Sequence, residues 1–116
     1  MIIRALTKSF LITSVLATFA PVAFCAASQK TDPVQDILNL LSQKSGMVPQ
    51  AIYQYKYKSK IVYFTEMPCC DQYNILFNKN IVEICAPSGG FAGNGDGKCP
   101  DFEDKKSSQK LLWKRK

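Results

Sequence analysis

Two adjacent cysteines, Cys69 and Cys70, followed by Cys85 and Cys99, constrain this chain more than any other feature. Neighbouring cysteines cannot easily bond to each other, so each is expected to reach a different partner. With Cys25 assigned to an N-terminal leader, only Cys85 and Cys99 remain. The pattern predicts a small exported domain stapled at one end by two disulfides. Cys69–Cys85 with Cys70–Cys99 and Cys69–Cys99 with Cys70–Cys85 both fit, and the sequence does not choose between them.

Residues 1–27 have the layout of a secretory signal peptide. Arg4 and Lys8 supply the positive start, and Phe10 to Ala20 is an uncharged, mostly apolar run. Pro21 ends that run, and Cys25-Ala26-Ala27 offers small residues for cleavage before Ser28. The run is shorter than the roughly 20 residues a membrane-spanning helix needs. Export to the periplasm or the extracellular space is the expectation. Lipoprotein processing at Cys25 is the alternative, and Phe24 counts against it because the residue before a lipidated cysteine is normally small. The mature chain, Ser28 to Lys116, is one small domain whose core alone gives marginal stability, so disulfides suit its size.

Asp32-Pro33 predicts a helix start. Asp32 caps it, Pro33 suits the first helical position, and Gln35 completes a capping box. Val34, Ile37, Leu38 and Leu41 recur at helical spacing, and Gly46 is the expected stop. Ala51 to Tyr57 alternates, with Tyr53, Tyr55 and Tyr57 on one face. Ile61 to Glu66 follows as a second strand, with Lys58-Ser59-Lys60 as the connection and Tyr57 facing Ile61. Tyr73 to Asn78 and Ile81 to Ala86 form a second hairpin; a Lys79-Asn80 turn would oppose Phe77 to Val82 and Ile75 to Ile84. The fold class predicted is α+β: one N-terminal helix packed on the tyrosine face of a four-stranded antiparallel meander, with a disulfide-pinned glycine-rich loop. The same tyrosines could stack a carbohydrate, but alternation opposite lysines is the mark of an ordinary half-buried strand.

The net charge of +6 is unevenly placed. Residues 105–116 hold Lys105, Lys106, Lys110, Lys114, Arg115 and Lys116 and no acid. With those six and the two leader charges set aside, seven basic residues face nine acidic ones. Nucleic-acid binding is therefore not expected from the overall basicity. Residues 28–104 are expected to form the domain and 105–116 a disordered basic tail, with weak contact to anionic surfaces as its functional alternative.

Five of the six glycines lie between Gly89 and Gly97. That density disfavours helix and strand alike and predicts an ordered loop tied down near Cys85 and Cys99. The run Cys69-Cys70-Asp71-Gln72-Tyr73-Asn74, Ile84-Cys85-Ala86-Pro87, Gly89-Gly90 and Gly95-Asp96-Gly97-Lys98-Cys99-Pro100-Asp101-Phe102 resembles the bacterial domain-of-unknown-function family DUF6970. The resemblance covers roughly Tyr53 to Phe102. It implies a small exported protein, often a lipoprotein, and implies no activity.

Chemistry is bounded by what is missing. The sequence contains no histidine, which removes the usual general base and the Ser-His and Cys-His nucleophile pairs. The stretch Ala92 to Cys99 misses the first glycine and the final hydroxyl of a phosphate loop, and no helix follows it. Zinc lacks a knuckle of two cysteines. Calcium is the one cofactor considered for the loop, with Asn94, Asp96, Asp101, Glu103 and Asp104 as oxygen ligands and Asp96 and Asp101 foremost. The expected function is a non-catalytic binding or interaction domain for a protein or envelope ligand. Asp71, Phe91, Asn94, Asp96 and Lys98 are its candidate binding residues, because ordered loops on rigid scaffolds commonly carry binding. A metal-dependent domain or enzyme using the acidic groups near the loop is the alternative.

Overall fold

The structure is a computed structural model that describes residues 14–22, 29–69 and 71–116. The leader charges, the Cys25-Ala26-Ala27 cleavage segment and Cys70 lie outside the described residues. Residues 14–22 take no helix or strand, and Val15, Leu16, Phe19 and Val22 stand exposed. Among the described residues no helix is long and apolar enough to cross a membrane.

Helix α1 spans Pro33–Ser45. Asp32 caps it by accepting from the Val34 amide at 3.0 Å, and Gly46 ends it in the left-handed conformation with φ 66°. The reciprocal half of the capping box is not made: Gln35 donates instead to Asn39, 3.1 Å away. Strands β1 (Ala51–Tyr57), β2 (Lys60–Glu66), β3 (Tyr73–Asn78) and β4 (Glu83–Gly89) follow, then the short helix α2 (Phe102–Lys105) and β5 (Ser107–Lys114). The five strands form one antiparallel sheet in the order β4-β3-β2-β1-β5.

Three expectations are corrected here. The tail after residue 104 is ordered: α2 turns the chain, and β5 pairs along β1 from Lys56 to Ala51. Leu112 and Trp113 pack on the core, which a mostly polar tail with a single apolar cluster does not announce. Helix α1 lies on the opposite face from the tyrosines. Its Ile37 and Leu41 pack with Ile52, Tyr63, Met67 and Phe77, whereas Tyr55 and Tyr57 pack with Val62, Leu76, Cys85, Cys99 and Phe102. The molecule thus has three layers, because α2 and the end of the glycine loop cover the face that the helix leaves open. Finally, both hairpin registers differ from expectation. Tyr57 pairs with Lys60 and Tyr55 with Val62, so the first turn is the two residues Lys58-Ser59, both at positive φ. In the second hairpin Phe77 opposes Glu83 and Leu76 opposes Cys85, with register shifts on either side of Leu76. Asn78 causes this: its Oδ1 accepts from the amides of Asn80 and Val82, widening the connection to residues 79–82.

Side chains finish the β2–β3 seam where the regular ladder stops at Phe64 and Leu76. Thr65, fully buried, donates to the Ile75 carbonyl at 3.0 Å and accepts from its amide at 3.1 Å. Asn74 accepts from the Met67 amide at 2.8 Å and donates to Ser88 at 3.0 Å. Buried polar groups are thereby satisfied without strand pairing.

Candidate functional site

A meander places alternate connections at the same end of its sheet. The Lys58-Ser59 turn and the 79–82 turn therefore sit side by side, and both carry lysine. The glycine loop brings a further lysine to the same place. From Gly89 it folds back beside β4: the Gly95 amide donates to the Gly89 carbonyl at 3.0 Å and the Asp96 amide to the Ala86 carbonyl at 2.9 Å. A Cβ on Gly95 would collide with the Ala86 carbonyl, so this close approach requires glycine. The Cys85–Cys99 disulfide then fixes the returning segment to the middle of β4. That bond is the pairing neither expected arrangement contained. It arises because Cys85 faces the tyrosine-side core rather than the rim of the sheet. Cys69 is also disulfide-bonded.

Between these elements lies an open cleft of about 850 Å³. Lys58, Lys60, Lys79 and Lys98 line it with no carboxylate among the lining residues, and Ile61, Ile84, Tyr57 and Val62 form its apolar wall. Lys60, Lys79 and Lys98 make no ion pair among the described residues. Lys58 is the exception, 3.6 Å from Asp101.

Asp101 anchors the wall of the cleft. The Tyr57 hydroxyl donates to its Oδ1 at 2.5 Å, and Lys58 and Lys105 each stand 3.6 Å from Oδ2. The Tyr57 hydrogen bond, then the two lysines, hold this carboxyl below its ordinary value. Burial and the Asp101 carboxylate push the Tyr57 phenol up.

Of the candidate binding residues from the sequence, only Lys98 reaches the cleft. Phe91 is 97% exposed at the tip of the loop. Asn94 is exposed and bridges to Gly89. Asp96 accepts from the Lys98 amide at 3.0 Å, which lowers its carboxyl pKa and shapes the turn that presents Lys98. Asp71 lies at the other end of the sheet, on a smaller cavity of about 340 Å³ with Met47, Met67 and Gln72. There the Gln72 amide nitrogen contacts the Met47 sulfur, and its Oε1 is buried without a hydrogen-bond partner among the described residues.

The calcium expectation finds no cluster. Among the described residues no group of three His, Cys, Asp or Glu side chains is placed to hold a metal ion. Asp96 and Asp101 are each committed to separate partners. Lys58, Lys60 and Lys79 were missed as site residues because a turn lysine reads as ordinary solvation. The signal was there: two successive hairpins, each with lysine in its turn, must bring those lysines together.

No curated protein and no solved structure matches the chain. A family model does, over residues 38–115, which takes in all five strands, the glycine loop and most of α1. The chain belongs to the family described as Domain of unknown function (DUF6970).

Proposed function

We propose that this protein is an exported, non-catalytic binding domain whose lysine-lined cleft takes an anionic ligand. One observation carries the reading: four lysines from three separate segments converge on a cleft lined by no carboxylate. Residues 28–104, which supply the whole lining, carry nine acids against seven bases, so chance placement would have mixed the signs. Like charges gathered in a concave site focus positive potential and raise the local concentration of anions. Lysine ammonium groups suit phosphate or carboxylate as point charges, without demanding the planar fork geometry of arginine.

Two features support export. The N-terminal layout of charge, apolar run and small residues suits a signal peptide, and disulfide-bonded cysteines suit an oxidising compartment. Non-catalytic binding is favoured by the absence of histidine from the sequence and by a cleft whose polar lining is lysine, asparagine and serine.

Titration of the isotopically labelled, oxidised protein with pyrophosphate, followed by amide NMR, tests the reading. The largest shifts are expected at Lys60, Lys79 and Lys98, weakening as salt is raised. Shifts that are absent, or that map to the opposite end of the sheet, would remove it.

A further inference from the structure

The cleft has a second property that a site for a small mineral anion does not need. Ile61 and Ile84, both on its wall, are 40% and 42% exposed. Tyr57 and Val62, both buried, line the same cleft. Large aliphatic side chains left open in water gain when a ligand covers them. Single exposed isoleucines are unremarkable on a protein surface, but these two share one concavity with three lysines that make no ion pair among the described residues. At about 850 Å³ the space lies within the range of sites for small organic molecules and far exceeds one phosphate.

Resting on the anion-binding reading above, the geometry points to a more specific ligand: we propose that the cleft takes an anionic single-chain amphiphile, as a monomer. Its phosphate or carboxylate head is held by Lys60, Lys79 and Lys98, and its hydrocarbon chain lies along Ile61 and Ile84. The Lys58–Asp101–Tyr57 contacts act as a positioning element, keeping the first hairpin turn and the disulfide-fixed loop apart at a set width.

Calorimetric titration of the oxidised full chain with dodecyl phosphate, below its micelle concentration, tests this directly. Octyl phosphate, inorganic phosphate, neutral dodecyl maltoside and phosphatidylglycerol vesicles serve as comparisons. Dodecyl phosphate is expected to bind about tenfold more tightly than octyl phosphate, about what partial burial of the added methylenes supplies. Ile84→Asn, or Ile61→Asn as the second variant, should remove that chain-length preference while leaving pyrophosphate shifts intact. Lys60→Glu combined with Lys79→Glu should weaken dodecyl phosphate and pyrophosphate together, by about tenfold or more. Equal affinity for dodecyl phosphate and inorganic phosphate would overturn the amphiphile and leave anion binding standing. A chain-length preference that survives both isoleucine variants would overturn it too, by placing the hydrocarbon elsewhere, and so would binding to vesicles alone. Dodecyl maltoside binding as tightly as dodecyl phosphate would overturn the anionic amphiphile, and no binding of any anion would retire both readings.

Discussion

At the scale of single residues, Phe102 and Asp101 form the hinge between the loop and the sheet. Phe102 is fully buried, with ring centroids 5.6 Å from Tyr55, 5.3 Å from Tyr57 and 5.7 Å from Phe64. Phe102→Ala should cost about 3–5 kcal/mol in chemical denaturation, because it removes a fully buried ring and leaves a cavity among its aromatic neighbours. Asp101 makes stability depend on pH in a defined direction. Its carboxyl sits below the ordinary 3.8 in the folded protein, so the unfolded chain binds the proton more readily. The stabilisation is therefore complete above about pH 4 and is lost as pH falls through the lower folded value. Tyr57 acts with the opposite sign. Its phenol lies above the ordinary 10.0, so its contribution fades only as pH rises through that raised value. Asp101→Asn should flatten the acid limb of a stability curve measured by urea unfolding from pH 2 to 7. Some slope should remain, because Asp96 is also lowered. An unchanged acid limb would contradict the Tyr57–Asp101 account.

At the scale of elements, the turns and edges show where local strain is accepted. Lys58 and Ser59 occupy the left-handed region at φ 49° and 63° with neither glycine nor asparagine. Such a conformation costs a non-glycine residue roughly 1–2 kcal/mol. Ser59→Gly should accordingly stabilise the protein by about 1 kcal/mol in thermal unfolding, less what glycine's greater freedom in the unfolded chain takes back. Both sheet edges are guarded. The glycine loop bonds to the Ala86 and Gly89 carbonyls of β4. Strand β5 carries Lys110 and Lys114, a left-handed Ser108 and register shifts against β1. The glycines that first suggest a recognition loop thus serve mainly to close an edge, and the loop's contribution to the candidate site is Lys98.

For the molecule as a whole, β5 decides whether the domain ends at residue 104 or later. A truncation after Lys106 removes Leu112 and Trp113 from the core and leaves the β1 edge unpaired. It should cost roughly 3 kcal/mol from lost apolar burial and broaden the unfolding transition. A disordered tail would predict no change. Helix α1 and strands β1 to β3 were legible in the residues alone, since Asp32-Pro33, Gly46 and the alternation through Tyr57 are rules of short range. Strand β5 was not. Its burial pattern leaves six of eight residues exposed, so no alternation marks it, and pairing with β1 across more than fifty residues makes it a strand. The disulfide followed the same logic. Sequence could count the cysteines and infer that they bond, but Cys85 reaches Cys99 only because β4 turns it toward the core that Phe102 completes. The lysine cleft lies between these cases. Each turn and its lysine were visible, whereas their convergence required the sheet to set the two hairpins side by side and the loop to return beside β4. Local backbone preference and hydrophobic period depend on a few neighbours and are written in order along the chain. Which face is covered, which cysteines meet and which charges share a cavity depend on residues far apart, and only packing in three dimensions selects them.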